Sequence, residues 1–460
     1  MLSPQQSNPE PASPPQHGVW RVGTLEYDRA GLVKLFLWIL LADFTLTLME
    51  SVMPALLPLQ LKDLGGSNTL IGWVGAIGAG MNMILNPIIS TASDRHRGPR
   101  GRRIPFLLWP TPFIALFLIL TGYSPQIGPW LHSCLPAAWE VSVSRFTIGL
   151  TMVFMILFTV CNLFVNCVFW YIFTDLVPSA LMGRFMAMMR LVSQLAGFVW
   201  GMWLFGLADR HMEALYLGAG LVYLVSFILL CTNVREGEYP PPAPVARREK
   251  WWAWIKDYFE TTTSAPLWRW LILMVMMFNV AMVSNTYWTF FGRDDLGCSL
   301  DFIGQIAAYG SICSIPVILL VGWAVDRFGP VSMVMGALMF SALVSTGGFF
   351  QINSPASLMI YGVLSVCGLV WMQAALMPMY NELFPHARFG QFCSVTAVFS
   401  MSAVMLGNYG LGRLLDHLGD YRWLMVWRAA CWGIGAVAML MVFIHYRKLG
   451  GRQHYRPPAD

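Results

Sequence analysis

The chain has 460 residues, of which 57% are hydrophobic and only 12% charged. A soluble chain of this length would carry roughly a quarter charged residues, so a fully water-exposed exterior is excluded. The formal charge of +5 gathers in short clusters between apolar segments and does not describe a nucleic-acid-binding surface.

The chain opens with a polar stretch rich in proline (Pro4, Pro9, Pro11, Pro14, Pro15). It has no apolar core beside a cleavage site, so it does not read as a secretory signal peptide. Residues 1–32 are expected to be a disordered cytoplasmic tail. Six apolar segments follow at about 33–58, 68–92, 105–123, 145–174, 184–206 and 214–233. Each approaches the ~20 residues that cross a bilayer core of about 30 Å as a helix. Pro54 and Pro58 are expected to weaken the outer part of the first. Residues 234–266 form a linker. Its proline-rich start is stiff, and Trp251, Trp252, Trp254, Ile255, Tyr258 and Phe259 beside Lys250 and Lys256 suit an amphipathic helix on the membrane surface. Six more segments lie at about 267–291, 301–325, 330–351, 356–380, 388–412 and 422–446, before a short tail over 447–460. Segments this long exclude a β-barrel, whose strands are about 10 residues long and alternate in polarity.

Arginine and lysine set the orientation. Arg95, Arg97, Arg100, Arg102 and Arg103 follow span 2; Arg235, Arg247, Arg248, Lys250 and Lys256 follow span 6; Arg447, Lys448, Arg452 and Arg456 follow span 12. With an even span count these share one side, so both termini are expected in the cytoplasm of a cell with the protein in its cytoplasmic membrane. Seven of the nine cysteines lie in apolar runs without metal-ligand spacing. Cys134 and Cys298 fall in loops on one predicted face, where a disulfide is an open alternative.

The pattern occurs twice. "KDLGGSNTLIG" (Lys62 to Gly72) returns as "DDLGCSLDFIG" (Asp294 to Gly304), and "FTDLVPSALMGRF" (Phe173 to Phe185) as "YNELFPHARFGQF" (Tyr380 to Phe392). The interval from Gly72 to Asp94 equals that from Gly304 to Asp326. The expected fold is therefore an all-α membrane protein with twelve transmembrane helices in two pseudo-symmetric six-helix bundles, 33–233 and 267–446. Repeats of this kind build alternating-access transporters with the substrate site between the halves.

The loop "SDRHRGPRGRRIPF" (Ser93 to Phe106) and its counterpart "GWAVDRFGP" (Gly322 to Pro330) resemble the cytoplasmic signature of the major facilitator superfamily. Asp94, Arg95, Arg102 and Arg103 match the first copy; Gly322, Asp326, Arg327 and Gly329 match the second. Ser90 departs from the usual Gly, and extra residues separate Arg95 from Arg102. Within that superfamily, "NPIISTASDR", "GRRIPF" and "FTDLVPSALMGRF" look like the sugar:cation symporters of the sucrose and glycoside–pentoside–hexuronide branches. Melibiose-type members place a pair of aspartates in span 2 to hold the coupling cation. Here Asn82 and Asn86 stand there; asparagine has no charge to neutralise Na⁺, so the implied coupling ion is a proton carried elsewhere.

Carboxylates within hydrocarbon are functional candidates by default. Asp43 and Glu50 on span 1 stand two turns apart on one face and are the candidate proton carriers and hydroxyl acceptors; a structural ion pair of Asp43 with Arg190 is the plain alternative. The resemblance implies that spans 1, 4, 7 and 10 line a central cavity. Asn162, Asn166 and Trp170 share one face of span 4, where amides suit sugar hydroxyls and an aromatic suits a sugar ring. Asn82, Asn86, Gln194, Asn279, Trp371 and Gln373 complete the candidate binding set, with interhelical hydrogen bonding as the alternative for each. Asn285, Tyr287 and Trp288 read as interfacial anchors or an outer gate. Arg428 reads as snorkelling or paired with Asp416 or Asp420, outside the substrate site. The resemblance implies that Asp94, Arg95, Arg102, Arg103, Asp175, Arg184, Asp326, Arg327 and Glu382 gate the cytoplasmic side.

There is no phosphate loop, nucleophile elbow or His–Cys metal cluster, so an enzyme, a metal centre, a cofactor and direct drive by ATP are not expected. The expectation is a monomeric, proton-coupled sugar or glycoside transporter in the lipid bilayer. A drug or metabolite exporter of the same fold and a non-transporting ligand sensor are the rivals.

Overall fold

The computed structural model describes residues 20–22, 24–134, 141–237, 259–385 and 388–458. The linker helix expected around residues 251–258 lies outside the described residues, as do residues 1–19. Residues 20–22 and 24–32 differ from the disordered tail expected there. Trp20–Val22 (β1) and Leu25–Tyr27 (β2) pair as an antiparallel hairpin, and Asp28 caps the first helix through Gly31 N at 2.7 Å.

Twelve long helices follow among the described residues. The first half holds α1 (Arg29–Asp63), α2 (Asn68–Arg95), α3 (Thr111–Ser133, entered through a short turn at Ile104–Leu108), α4 (Val143–Leu176), α5 (Met182–Val199, prolonged by a π turn at Trp200–Leu204) and α6 (Ala208–Asn233). The second half holds α7 (Pro266–Met282, continued by Asn285–Phe290 and a π turn at Phe291–Asp295), α8 (Leu300–Phe328), α9 (Pro330–Gln351), α10 (Pro355–Leu383), α11 (Phe389–Leu418) and α12 (Trp423–Lys448). By length and hydropathy these form eleven membrane-crossing stretches among the described residues, one of which, Met182–Asn233, contains both α5 and α6. The third span is longer than its hydropathy suggested and extends to Ser133. α1 runs unbroken through Pro54 and Pro58, so the weakening expected there does not interrupt the helix. Cys134 and Cys298 are both free thiols and form no disulfide.

The repeat is visible in local chemistry and in packing. Serine caps open α2 and α8 (Ser67 to Leu70 N, 3.1 Å; Ser299 to Phe302 N, 3.2 Å). Serines also open α4 and α10 (Ser142 to Arg145 N, 3.4 Å; Ser354 to Ser357 N, 3.3 Å). In each case a short hydroxyl side chain satisfies an amide that the helix leaves without a partner. The neighbour pairs α1–α5, α1–α6, α2–α4, α3–α4 and α3–α6 recur six helices later as α7–α11, α7–α12, α8–α10, α9–α10 and α9–α12. The halves meet chiefly along α2–α11 and α5–α8, which the same operation exchanges. Leu319 and Leu343 remain 65–71% exposed together with Leu320, as expected where apolar side chains meet lipid tails instead of water.

The arginine-rich loop is braced within its own half. Arg102 meets Asp175 at 2.7 Å; Arg103 meets Asp94 at 2.6 Å, Asp175 at 3.3 Å and Ser93 Oγ at 2.8 Å. Glu236 accepts the successive amides of Arg102, Arg103 and Ile104, so a carboxylate sits where the turn at Ile104 begins. The Arg103 side chain is 5% exposed, and removing it leaves Asp175 with a single cation. Arg103→Ala is expected to destabilise the first half by about 3 kcal/mol, read as a lower thermal midpoint in detergent. An unchanged midpoint would mean that Arg102 and Glu236 hold the loop without the Arg103 side chain.

Candidate functional site

At the end opposite the arginine loop the halves are sealed. The first two amides of α2 donate to Asp416 of α11, Asn68 N to Oδ1 at 2.8 Å and Thr69 N to Oδ2 at 2.7 Å; Thr69 Oγ1 adds a third bond at 2.6 Å. A carboxylate at a helix N-terminus is favoured by the helix dipole. Tyr287 Oη donates to the Asn68 carbonyl at 2.9 Å and Tyr421 Oη to Asn68 Oδ1 at 2.8 Å. Deeper in, backbones touch. A Cβ on Gly72 would overlap the Asn408 carbonyl, one on Gly412 the Asn68 carbonyl, and Gly201 and Gly304 would each strike the other. Only glycine allows such an approach. Tyr287 belongs to the outer seal, whereas Trp288 lines a cavity beneath it, a place that neither an interfacial anchor nor an outer gate describes.

Cross-half hydrogen bonds among the described residues reach mid-membrane and no further. Gln194 donates to the Ser311 carbonyl at 3.2 Å and to Ser314 Oγ, and Ser402 Oγ meets Met83 Sδ at 3.5 Å. Gln194, a candidate for substrate, is thus occupied by the α5–α8 contact.

The carboxylate pair lies on α1, and its partners Ser193, Arg190 and Asn166 belong to the first half. Asp43 is 3% exposed and accepts Ser193 Oγ of α5 at 3.0 Å. Arg190, one turn away on α5, acts on it through its charge without a salt bridge, so the ion pair weighed from sequence is replaced by a hydroxyl contact. Glu50 is exposed although the helix continues outward to Asp63, about 20 Å further; Asn166 of α4 stands beside it. The Asn166 contact brings the α4 amide face and the α1 carboxylate face together.

The remaining candidates divide. Asn86 Nδ2 donates to Asn82 Oδ1 at 3.3 Å, and the Asn86 carbonyl meets Cys167 Sγ of α4 at 3.7 Å. Asn162 Oδ1 is buried without a hydrogen-bond partner. Trp170 is 45% exposed and lies edge-on to Phe173. Asn279 donates to the Val275 carbonyl of its own helix at 2.9 Å, leaving its oxygen for another partner. Gln373 is exposed. Trp371 is a correction: it packs on Phe340 (centroids 5.8 Å apart) and Gly336 of α9, because that helix offers a glycine notch for the indole.

Among the described residues, no hydrogen bond or ion pair of the expected gating residues bridges the halves. Asp94, Arg102, Arg103 and Asp175 pair within the first half. Arg452 of the tail donates to the backbone carbonyls of Asp326 and Arg327, while Tyr446 donates to Glu382. Arg95 and Arg184 are exposed. The physical reason is the seal: with the opposite ends locked, these loops find partners inside their own half.

Arg428 was misread from sequence. It is 5% exposed and pairs with neither acid proposed for it; Asp416 binds α2, and Asp420 accepts the Arg422 amide. Its guanidinium stands 5.7 Å from the Trp288 ring centre and lines a cavity of about 230 Å³. A lone arginine in an apolar span carries a signal, but peripheral placement in the resembled fold hid it. Among the described residues no cluster of His, Cys, Asp and Glu could hold a metal.

Comparison with known proteins adds the following. Residues 270–459 match the family model of the Major Facilitator Superfamily. A search of curated proteins finds no match. The structure resembles a bacterial homologue of the iron transporter ferroportin in its inward-facing state (17% identity, TM-score 0.69, 89% of this chain and 99% of that one). It also resembles a point mutant of the nucleoside transporter NupG (12% identity, TM-score 0.66, 89% and 100%). A POT family transporter in complex with a thioalcohol-conjugated peptide is similar as well (15% identity, TM-score 0.61, 92% and 97%). The whole chain thus has the major facilitator fold, and the matched family and folds are those of transporters, not enzymes. The sugar:cation branch finds no counterpart among these likenesses.

Proposed function

We propose that this transporter moves a sugar or glycoside across the cytoplasmic membrane by alternating access, with proton coupling through Asp43 and Glu50. The observation that carries the reading is a buried Asp43 and, two turns along α1, an exposed Glu50 with the Asn166 amide beside it, in one of two repeated bundles sealed against each other at one end. Carboxylates in a spanning helix tend to mark ion pathways, and amides beside them can both donate to and accept from hydroxyls. The sugar assignment draws on the motifs around Asp94 and Asp175; the assignment of termini to the cytoplasm draws on the arginine clusters. The cycle would rock residues 33–233 against 267–446, and the loops bearing Asp94, Arg95, Arg184, Asp326, Arg327 and Glu382 would meet once the outer seal has parted.

Uptake of labelled disaccharides into proteoliposomes tests the proposal. An inward-directed substrate gradient plus a proton gradient is expected to give accumulation that an uncoupler removes. Accumulation indifferent to the uncoupler would end the proton reading, and flux of lipophilic cations or drugs without disaccharide competition would favour the exporter.

A further inference from the structure

We propose that Arg428 forms an anion subsite at the outer end of this transport cavity, taking a carboxylate or phosphoryl group on a small, partly apolar body. The inference rests on the transport reading and narrows the solute to an acidic one. The guanidinium has five N–H donors, yet Nε has no hydrogen-bond partner and no neighbouring charge acts on Arg428 among the described residues. Contact with the Trp288 face offsets part of its desolvation and satisfies none of those donors. An uncompensated cation in a spanning helix is poor packing material, since an apolar side chain of similar volume fills such a site more favourably.

The surroundings supply what an oxyanion needs. Asn285 and Thr289 line the same cavity and can donate beside a guanidinium fork that matches carboxylate or phosphate. Trp200, Phe205 and Trp288 provide apolar walls. A volume of about 230 Å³ is smaller than the ~300–1,000 Å³ of drug-sized pockets, which favours one acidic group with a compact body. Ala55 of α1 also lines it, so the subsite adjoins the helix that carries Glu50.

The test is calorimetric binding of D-glucuronate, D-glucose 6-phosphate and neutral D-glucose to the full chain in detergent. At least one acidic probe is expected to bind about tenfold or more tightly than glucose, the gain ordinary for hydrogen bonds to a charged group. Arg428→Gln is expected to lose that gain, leave glucose unchanged and melt no lower than the parent without ligand; Arg428→Lys should keep part of it. Preference between the acidic probes identifies carboxylate or phosphoryl. The subsite is overturned if neither acid outbinds glucose, or if Arg428→Gln binds acids normally and melts lower, the behaviour of a packing residue. Proteoliposome uptake separates the two readings. Proton-driven glucose uptake with no acid binding removes only the subsite. Acid binding through Arg428 without proton-driven uptake of any probe removes the transport reading instead.

Discussion

Asp43→Asn is expected to abolish proton-driven accumulation of substrate in proteoliposomes while leaving exchange of substrate for substrate intact. Asparagine preserves the size of the side chain and can still accept from Ser193 Oγ, which lies 3.0 Å from the native carboxylate, so helix packing between α1 and α5 should survive. What it loses is the ability to bind and release a proton. With a gradient of about one pH unit, one proton per solute supports about tenfold accumulation, because a tenfold ratio corresponds to 1.36 kcal/mol. The variant should fall to a ratio of about one. If it accumulates as the parent does, Asp43 is no carrier and the exposed Glu50 is left as the candidate. Ser193→Ala is a useful companion, since it removes the hydroxyl partner and keeps the titrating group.

Gly72→Leu should have the second large effect, by prising the outer seal apart. The first atom of any side chain at this position meets the Asn408 carbonyl, with Tyr287 Oη close by. A backbone atom cannot turn aside as a side chain can, so α2 must move away from α11. Overpacking of this kind typically costs about 1–3 kcal/mol, which corresponds to a shift of roughly 5- to 150-fold between two conformations. The measurement uses Ala55→Cys, a residue lining the cavity, in a background where the exposed Cys134 and Cys313 are serine. Its reaction with an impermeant maleimide from the outer face should accelerate by a factor in that range. Equal labelling rates in the two backgrounds would mean that the seal does not control access from that side.

Much of the architecture was legible because it is written twice. Hydropathy located the spans, and the repeated "LGGSNTLIG" and "LGCSLDFIG" segments, read as a duplication, proved to hold the helix caps Ser67 and Ser299. Their terminal glycines, Gly72 and Gly304, proved to be points of backbone contact across the interface. The carboxylates of span 1 were visible because charge is rare in hydrocarbon. What a single chain could not reveal was which partner each polar group would choose. Gln194 spends its amide on Ser311 and Ser314, and Trp371 turns to a notch on α9. Both outcomes depend on helix rotation, which mid-span polarity does not specify. Arg428 was lost for a different reason: Asp416 and Asp420 looked like natural partners by proximity along the chain, but Asp416 was already claimed by a helix terminus from the other half. The span 3 boundary slipped because Ser124, Pro125 and Pro129 resemble loop residues, whereas they continue the helix to Ser133.

The cap that Asp416 lends to Asn68 and Thr69 has a bearing on turnover. Each time this lid lifts, α2 loses the group that completes its first turn, but it does so at an aqueous rim where solvent can take over the same amides with nearly equal enthalpy. A latch of that kind leans only weakly toward either pose. The direction of each stroke is then left to the cargo and the ion, as a reversible carrier requires.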